Sequence, residues 1–404
     1  MHFNLTSAAL IESIKKLFTN RKFVLILWFG LSFIAALKQV LFHAINNYKI
    51  YKYTFYDLIN QKNLFLQYPQ FFEDKNHYGP VFALVIMPFY FLPDGFGVML
   101  WSVFNSYMLY KAVTLLPITD KKQVAIFLIC AHELMTTSFS VQVNPLATSL
   151  IILSFIFIRN KQDFWAACMI ALGTYIKLYG IVGLAFFFFS ENKIKFTLSM
   201  VFWTVVFFVL PMPFSSPHFT VQCYKDWYKS LSEKDIENSG STMQDISVKG
   251  MARRIFNVPG LSKIWFLVPG VLLYLSSYIR INAYKNVNFQ LLILASTLIF
   301  PIIFSSSSES PTYIIAFLGV AIWFINLDRP ITNFEWFLLI FAVVITSFSP
   351  SDLFPKYIST HITKKYALKA LPCLMIWLKI IYETWTRPFS TNETEPKLQP
   401  TLTT

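Results

Sequence analysis

Apolar runs of about 15 to 22 residues alternate with short polar segments along most of the chain. Runs of this length predict membrane-crossing helices, because only helices and closed barrels satisfy their backbone hydrogen bonds in lipid. The pattern therefore predicts an all-α, polytopic membrane protein with about twelve transmembrane helices. We expect the spans at 23–43, 96–117, 123–140, 144–158, 163–175, 178–190, 196–212, 263–281, 287–304, 311–326, 333–348 and 367–383.

A helix-breaking sequence at 92–95 divides the apolar block 80–117. Either both halves span, or 80–92 is a short juxtamembrane or re-entrant helix and only 96–117 spans. The second choice puts the basic residues of every later short loop on the side of the basic N-terminal segment. It therefore follows the positive-inside rule. It predicts cytoplasmic termini and two outer loops, at 44–79 and 213–262.

Two expected spans, 163–175 and 178–190, are too short to cross a bilayer of about 30 Å comfortably. They predict a hairpin that enters from the cytoplasm, with Lys177 at its tip. The first apolar run is interpreted as a retained span and not as a signal peptide, since no small-residue cleavage site follows it. We expect one transmembrane domain at 1–389 and a disordered tail at 390–404.

Composition supports the membrane interpretation. Hydrophobic residues make up 55% of the chain and charged residues 14%, against roughly 25% charged in soluble domains. The net charge of +13 indicates membrane orientation and attraction to lipid headgroups, not a nucleic-acid partner. The four cysteines show no metal or disulfide spacing. No Walker loop, GxGxxG, HExxH or GxSxG motif is present, so the soluble nucleotide-sugar machinery is missing. We expect no cofactor, and the sequence requires no metal, although Glu309 and Asp74 together could hold one.

Polar residues of unusual type fall mainly in the segments assigned to the outer side. Asp74 is framed by Phe71, Phe72 and His77, and an aromatic setting partly desolvates a carboxylate and raises its basicity. Asp74 is therefore the first candidate for a general base. Asp57 ranks below it, because we expect a short loop helix to expose that side chain to solvent.

Four further candidates each have two interpretations. Lys177, between apolar flanks, either contacts a lipid-borne phosphate or extends to water. Glu133, in an apolar run, is either functional or a partner in an interhelical hydrogen bond. Gln142 and Asn144 either bind sugar hydroxyls or cap the next helix.

Three charged residues near the predicted outer surface also have more than one interpretation. Glu309 follows a run of serines and could bind a cation, act as a base, or remain solvated. Arg253 and Arg254 could reach an anionic donor or form a solvated face.

Several segments together resemble glycosyltransferase family 87, a family of mannosyltransferase-like membrane enzymes of the C-type superfamily. HYGPVFALVIMPFYFLP followed by LWSVFNSYMLY is similar to its Tyr-x-Pro-x-Phe and Leu-Trp-x-x-x-Asn patterns. VQVNPLATSL through TYIKLYG resembles its Gln-x-Asn-x-Leu and late Lys pattern. ISVKGMARRI and SPTYIIAF resemble its Ser-x-x-Gly-x-x-x-Arg and Ser-Pro-x-x-Tyr segments. The resemblance runs from about residue 46 to 330.

The resemblance implies a polyprenyl-phosphate-sugar donor, a lipid or glycan acceptor, and transfer of a hexose, commonly mannose, on the outer face. It also implies a carboxylate base in the first outer loop and inversion at the anomeric carbon. The family's usual Asp-Phe-x-x-Tyr aligns with the segment Asn47–Tyr51, and an asparagine cannot serve as a base. The base is then expected to be Asp74, assisted by Glu309 or Glu133, unless the protein is a catalytically altered relative.

Together with the membrane pattern, the resemblance implies an inverting hexosyltransferase in the cell membrane. Lys177, with Arg253 or Arg254, would hold the departing phosphate. The residues expected to orient the sugar or shape the pocket are Tyr78, His77, Gln142, Asn144, Tyr313 and Asn47. The alternatives are a transporter or flippase of lipid-linked sugars and a non-catalytic relative that acts in envelope assembly.

Overall fold

The computed structural model describes residues 12, 16–238, 241, 243–351 and 354–389. Every regular element in these ranges is helical. The α-helices are α1 (Arg21–Leu41), α2 (Asn46–Ile59), α3 (Phe82–Tyr90), α4 (Asp94–Thr114), α5 (Asp120–Phe139), α6 (Asn144–Arg159), α7 (Asp163–Ile176), α8 (Lys193–Val209), α9 (Pro217–Asn238), α10 (Val248–Phe256), α11 (Ile264–Ser276), α12 (Val287–Phe304), α13 (Tyr313–Ile325), α14 (Asn333–Phe341), α15 (Lys356–Ile358) and α16 (Ala370–Thr386).

Helices of other types complete the described chain. A long 3-10 helix, Leu178–Phe189, follows α7. Short 3-10 turns lie at Met212–Phe214, Ser277–Ile279, Ile281–Ala283 and Ser310–Thr312. Two π-helices, Ala342–Phe348 and Ser359–Lys364, continue α14 and α15. The predicted tail 390–404 lies outside the described residues.

The apolar helices identify a membrane protein, but they do not establish twelve spans. Three described helical segments are long and apolar enough to cross a bilayer, namely Arg21–Leu41, Lys193–Phe214 and Val287–Phe304. Six shorter apolar helices accompany them. Large apolar side chains on α1 and α8 point outward, with Ile26 71% and Ile194 76% exposed. Lipid tails would cover such faces at little cost.

Helices α12 and α13 form the centre of the core, and nearly all their side chains are buried. A Cβ on Gly319 of α13 would lie 2.6 Å from the carbonyl oxygen of Ala295 on α12. The absence of that side chain lets the two backbones approach closely, as is common between membrane helices. On α16, the indole of Trp377 donates to Ser296 Oγ at 2.9 Å and ties α16 to this pair.

Side-chain caps fix where several apolar helices begin. Asn20, Asn192 and Asn286 accept hydrogen bonds from backbone N–H groups in the first turns of α1, α8 and α12. These N–H groups have no partner within the helix, so the cap satisfies them. The helix starts therefore follow from residues adjacent to the apolar runs.

Both long polar segments contain helices, and the second is largely helical. The first, 44–79, contains α2, and the second, 213–262, contains α9 and α10. Helix α3 lies within the short helix predicted at 80–92. The expected exposure of Asp57 is wrong, because this side chain faces inward from α2 and the residue is only 3% exposed. Burial raises the pKa of its carboxyl group to about 7.

Candidate functional site

A polar cavity of about 310 Å³ lies where the first polar segment, the start of α6, the end of α7, α9 and the serine-rich segment 305–312 meet. Its lining brings together seven side chains singled out in the sequence: Asn47, Asp74, His77, Tyr78, Gln142, Lys177 and Glu309. The cavity therefore unites residues that are more than two hundred positions apart in the chain.

Lys177 stands at the junction between α7 and the 3-10 helix, in an extended conformation. Its ammonium donates to Asn144 Oδ1 at 2.8 Å. The same group lies 5.7 Å from the ring centroid of Tyr78 and 5.1 Å from that of Tyr179. Burial lowers the pKa of Lys177 to about 8, opposed by the negative charge of Glu309. This lysine is thus a cation in the cavity wall, close enough to two aromatic faces to be attracted by them.

Gln142 and Asn144 do not cap α6 with their side chains. Gln142 lines the cavity, where its Oε1 accepts from the Tyr78 hydroxyl at 3.0 Å. Asn144 is fully buried and donates from Nδ2 to the carbonyl of Pro311 at 2.9 Å. Because its amide oxygen accepts from Lys177, Asn144 connects that lysine to the turn that follows Glu309.

Glu309 lies in the cavity wall at the end of the serine-rich segment. Gln244 donates to its Oε1 at 3.2 Å. Burial raises the pKa of Glu309, while Lys177 and Lys234 act in the opposite direction. The backbone of its segment is held by the N–H groups of Asp245 and Ile246, which donate to the carbonyls of Ser306 and Ser308 at 3.0 and 2.9 Å.

Asp74 lies at the exposed edge of the cavity. Its backbone φ is 75°, in the left-handed region that aspartate and asparagine tolerate better than most residues. The Oδ1 atom accepts from the following backbone N–H at 2.8 Å. The exposure of Asp74 corrects the expectation that its aromatic neighbours desolvate the carboxylate. An exposed carboxylate at a cavity mouth can still receive a proton from a bound ligand and release it to solvent.

His77 contributes a neutral ring to the same wall. Burial is the main cause that lowers its pKa to about 4, so the imidazole is uncharged near neutral pH. Nδ1 lies 2.9 Å from Ser230 Oγ, and Nε2 has no hydrogen-bond partner within the described residues. His77 therefore contributes an uncharged ring to the cavity wall, with Nδ1 paired to Ser230 and Nε2 buried.

The structure gives Asn47 a role that an aspartate could not fill. Its Nδ2 donates to the carbonyl oxygen of Ser140 at 2.7 Å. A carboxylate at this position would lose the donor and place two oxygens of like partial charge together. Asn47 therefore joins α2 to the segment that leads into α6.

Helix α9 supplies a cavity lysine, Lys234, that sequence reasoning missed. The indole of Trp227 donates to the carbonyl of His77 at 2.9 Å, and Asn238 donates to Ser307 Oγ at 3.2 Å. The 227, 230, 234 and 238 positions recur at intervals of three and four, so they share one helix face. That spacing is the signal that could have identified Lys234. Lys75, Tyr179 and Gln244 are further lining residues that the sequence did not single out.

Glu133 lies apart from the cavity lining. Its carboxylate accepts from the Lys369 ammonium at 3.1 and 3.2 Å, and both side chains are buried. Lys369 also donates to Ser310 Oγ at 3.1 Å. This placement corrects the candidate catalytic role and agrees with the structural interpretation of Glu133, here as half of a buried ion pair.

Arg253, Arg254 and Tyr313 also lie outside the cavity lining. Arg253 Nε is 3.5 Å from Asp245, and Arg254 donates to the carbonyl of Gln244 at 2.6 Å. The Tyr313 hydroxyl donates to the carbonyl of Ile246 at 2.7 Å. These three residues hold the 244–246 segment behind the cavity wall, and the structure does not bring them into the cavity lining as expected.

The described residues contain no group of three or more His, Cys, Asp or Glu side chains arranged to hold a metal ion. The cavity's charged groups are instead the carboxylates Asp74 and Glu309 and three lysines, Lys75, Lys177 and Lys234. Lys75 is within 4 Å of two carboxylates of α9, Glu233 and Glu237. Lys177 and Lys234 remain as the cations best placed for an anionic ligand.

By fold and site, the chain is an all-helical membrane protein in which two carboxylates and three lysines line one cavity. The model of glycosyltransferase family 87 matches residues 76–306, which is more than half of the chain, and the chain belongs to this family. It is therefore a glycosyltransferase. No curated protein matches its sequence. The matched region includes Lys177 and Lys234 and ends just before Glu309.

Proposed function

We propose that the protein transfers a hexose, mannose in the first instance, from a polyprenyl-phosphate donor to a hydroxyl group of a lipid or glycan acceptor. The reaction takes place at the extracytoplasmic face of the cell membrane, with both termini in the cytoplasm. The observation that carries this proposal is the meeting of Asp74, Glu309, Lys177 and Lys234 around one cavity. Glycosyl transfer from a phosphate removes a proton from the acceptor hydroxyl and leaves negative charge on the departing phosphate. Carboxylates can accept the proton, and lysines can stabilise the phosphate.

The proposed step is a displacement with inversion at the anomeric carbon. Asp74 accepts the proton of the acceptor hydroxyl, and that oxygen forms a bond to the anomeric carbon from the face opposite the phosphate. The bond between the anomeric carbon and the phosphate oxygen breaks, and its electron pair leaves with the polyprenyl phosphate. Lys177 and Lys234 stabilise the charge that develops on this leaving group.

The remaining lining groups bind and orient the sugar. The ring faces of Tyr78 and Tyr179 flank Lys177, so a sugar attached to the phosphate would lie against them. Gln142 retains its amide N–H groups for sugar hydroxyls while its oxygen accepts from Tyr78. Glu309 acts as a second acceptor for hydroxyl hydrogens and keeps a negative charge beside Lys177.

The test is transfer by the full-length protein in proteoliposomes supplied with a labelled polyprenyl-phosphate mannose and an acceptor. Asp74→Asn removes the proton acceptor while keeping a residue that tolerates the left-handed backbone. We expect turnover to fall by about 10²-fold or more, as is typical for a lost general base. Glu73→Gln is the matched control, because Glu73 is an adjacent exposed acid outside the cavity lining, and its turnover should be unchanged.

Four results would overturn parts of the proposal. Unchanged turnover in Asp74→Asn refutes the assignment of the base, and loss in Glu309→Gln alone would assign that role to Glu309. A product in which the transferred sugar retains the anomeric configuration of the donor would exclude the single displacement. Movement of intact donor across the bilayer without product would favour the flippase.

A further inference from the structure

Helix α2 separates two concave surfaces. Asn47, Ile50 and Tyr51 line the cavity described above. Lys49, Lys52, Tyr53 and Tyr56 line a second groove of about 610 Å³ together with Gln70, Phe71, Tyr90 and Asp94. Residues two apart on a helix point about 200° away from each other, so these sets occupy opposite faces. The groove is therefore distinct from the proposed catalytic cavity.

The groove wall combines aromatic rings with a lysine that carries an uncompensated charge. Tyr53 stacks on Phe71 with centroids 4.5 Å apart. Lys52 is held by Asp94 at 2.7 Å and by the carbonyl of Leu92 at 3.0 Å. The Lys49 ammonium has no hydrogen-bond or ion-pair partner among the described side chains, although the residue is half-buried. The Lys49 ammonium is thus available to water or to an anion in the groove.

The surface beside the groove is apolar and exposed. Tyr90 at the end of α3 and Asp94 at the start of α4 form one wall of the groove. The neighbouring Phe91 is 73% exposed and Phe96 is 60% exposed. Tyrosines and lysines above an outward-facing apolar surface are typical of the level of lipid headgroups. The groove therefore lies beside an exposed apolar surface of the kind that lipid tails cover.

We propose that this groove binds the headgroup of an anionic phospholipid. The phosphate of that lipid contacts the Lys49 ammonium, the tyrosine rings flank the headgroup, and the acyl chains cover Phe91 and Phe96. A soluble glycan would meet the same aromatic rings but would leave the adjoining apolar surface uncovered. A bound lipid would also brace α2, which carries one wall of the cavity on its other face.

The inference does not depend on the proposed transfer reaction, so its test measures lipid binding alone. The full-length protein in detergent micelles is titrated with phosphatidylglycerol or phosphatidylcholine of equal chain length, and bound lipids are counted by native mass spectrometry. We expect phosphatidylglycerol to bind about five-fold more tightly, since one basic residue at an anionic surface is worth about 1 kcal/mol. Lys49→Ala should remove this preference.

Lys229→Ala is the matched control, because the Lys229 side chain is 76% exposed on α9 and away from the groove. It should leave the preference intact, while Lys49→Gln, which keeps much of the side-chain length, should reduce it as Lys49→Ala does. Equal binding of the two lipids to the wild-type protein would overturn the proposal. So would equal effects of the two alanine variants. Displacement of phosphatidylglycerol by a soluble acidic oligosaccharide would assign the groove to a glycan instead.

Discussion

Lys177 and Glu309 show how burial adjusts the charges of single residues in this cavity. Burial lowers the pKa of the lysine and raises that of the glutamate, and each acts on the other in the opposite direction. Phosphate binding needs the ammonium form of Lys177. Because its pKa is about 8, that form predominates at pH 7 and is lost as the pH rises.

The first prediction concerns this loss of charge. We expect kcat/KM of the wild-type enzyme to fall as the pH passes through about 8. Lys177→Arg should remove this alkaline limb, even if its maximal rate is lower, because a guanidinium stays charged throughout that range. The measurement is a pH profile of labelled-sugar transfer. Lys229→Arg serves as the control and should keep the limb, whereas an unchanged limb in Lys177→Arg would exclude Lys177 as its source.

Single residues were predictable where their chemistry conflicts with their sequence context. Lys177 and Glu309 stand out because charged groups beside apolar runs are rare. Lys234 did not stand out, because it lies in a polar helix where lysines are ordinary. Arg253 was misjudged because its partner, Asp245, is brought to it only by the folded 244–246 segment. Sequence chemistry thus identified conspicuous residues, and their actual partners came from tertiary contacts.

At the scale of elements, the joint between the first polar segment and α7 depends on Gly79. Its N–H donates to the carbonyl of Ile176 at 3.1 Å, next to Lys177. A Cβ here would lie 2.1 Å from the carbonyl oxygen of Tyr175 and 2.9 Å from the Trp227 ring. The contact leaves room only for glycine, and it joins Tyr78 to Lys177.

Gly79→Ala should therefore separate the two segments. We expect it to destabilise the protein by about 1–3 kcal/mol, as overpacking does, and to reduce transfer by displacing Tyr78 and Lys177. Thermal unfolding in detergent and turnover in proteoliposomes measure the two effects. Gly30→Ala on α1 is the control, because a Cβ there meets nothing within 4 Å. Equal stability and equal turnover in Gly79→Ala and Gly30→Ala would contradict the close contact between Gly79 and α7.

The buried pair of Glu133 and Lys369 joins α5 to the segment that precedes α16, and Ser310 extends the contact to the cavity wall. Breaking one partner of such a pair leaves an uncompensated buried charge, which costs about 3–5 kcal/mol. We expect Glu133→Gln to lower the thermal midpoint strongly. The double variant Glu133→Gln/Lys369→Met should recover much of that loss, because it buries no charge.

The measurement is the thermal unfolding of Glu133→Gln, Lys369→Met and the double variant in the same detergent. Additive losses would mean that the two side chains do not act as a pair. A Glu133→Gln protein with unchanged stability but abolished transfer would instead restore the catalytic interpretation of Glu133.

Elements were predictable where an apolar run is continuous and its start is capped. Helix α12 occupies the predicted range 287–304, with Asn286 as its cap. Helices α9 and α10 were not predicted, because their polar sequences carry no sustained apolar run and their contacts are tertiary. The inward position of Asp57 was missed for a related reason, since a mostly polar and aromatic helix does not reveal which face is covered.

For the whole molecule, the cavity itself accounts for much of the difficulty in counting spans. Helix α6 begins, α7 ends and α13 begins close to residues that line it. Where a helix ends beside the cavity, its unpaired backbone N–H and C=O groups can bind water in the cavity. The helix therefore does not need to continue across the lipid to satisfy them. The helices that end there are correspondingly short, and a count based on span length alone is ambiguous.

One ligand in the cavity would contact the first polar segment, α9 and the 305–312 segment together. Its binding should therefore stabilise the whole protein against thermal unfolding. We expect polyprenyl phosphate to raise the thermal midpoint of the wild-type protein, since a ligand at 100 times its Kd adds about 2.7 kcal/mol to the stability. Neutral polyprenol should raise it less, because it offers Lys177 and Lys234 no charge. Lys177→Met and Lys234→Met should each reduce the difference between the two ligands, whereas Lys229→Met should preserve it. Equal stabilisation by the phosphate and the alcohol would place the lipid outside this cavity.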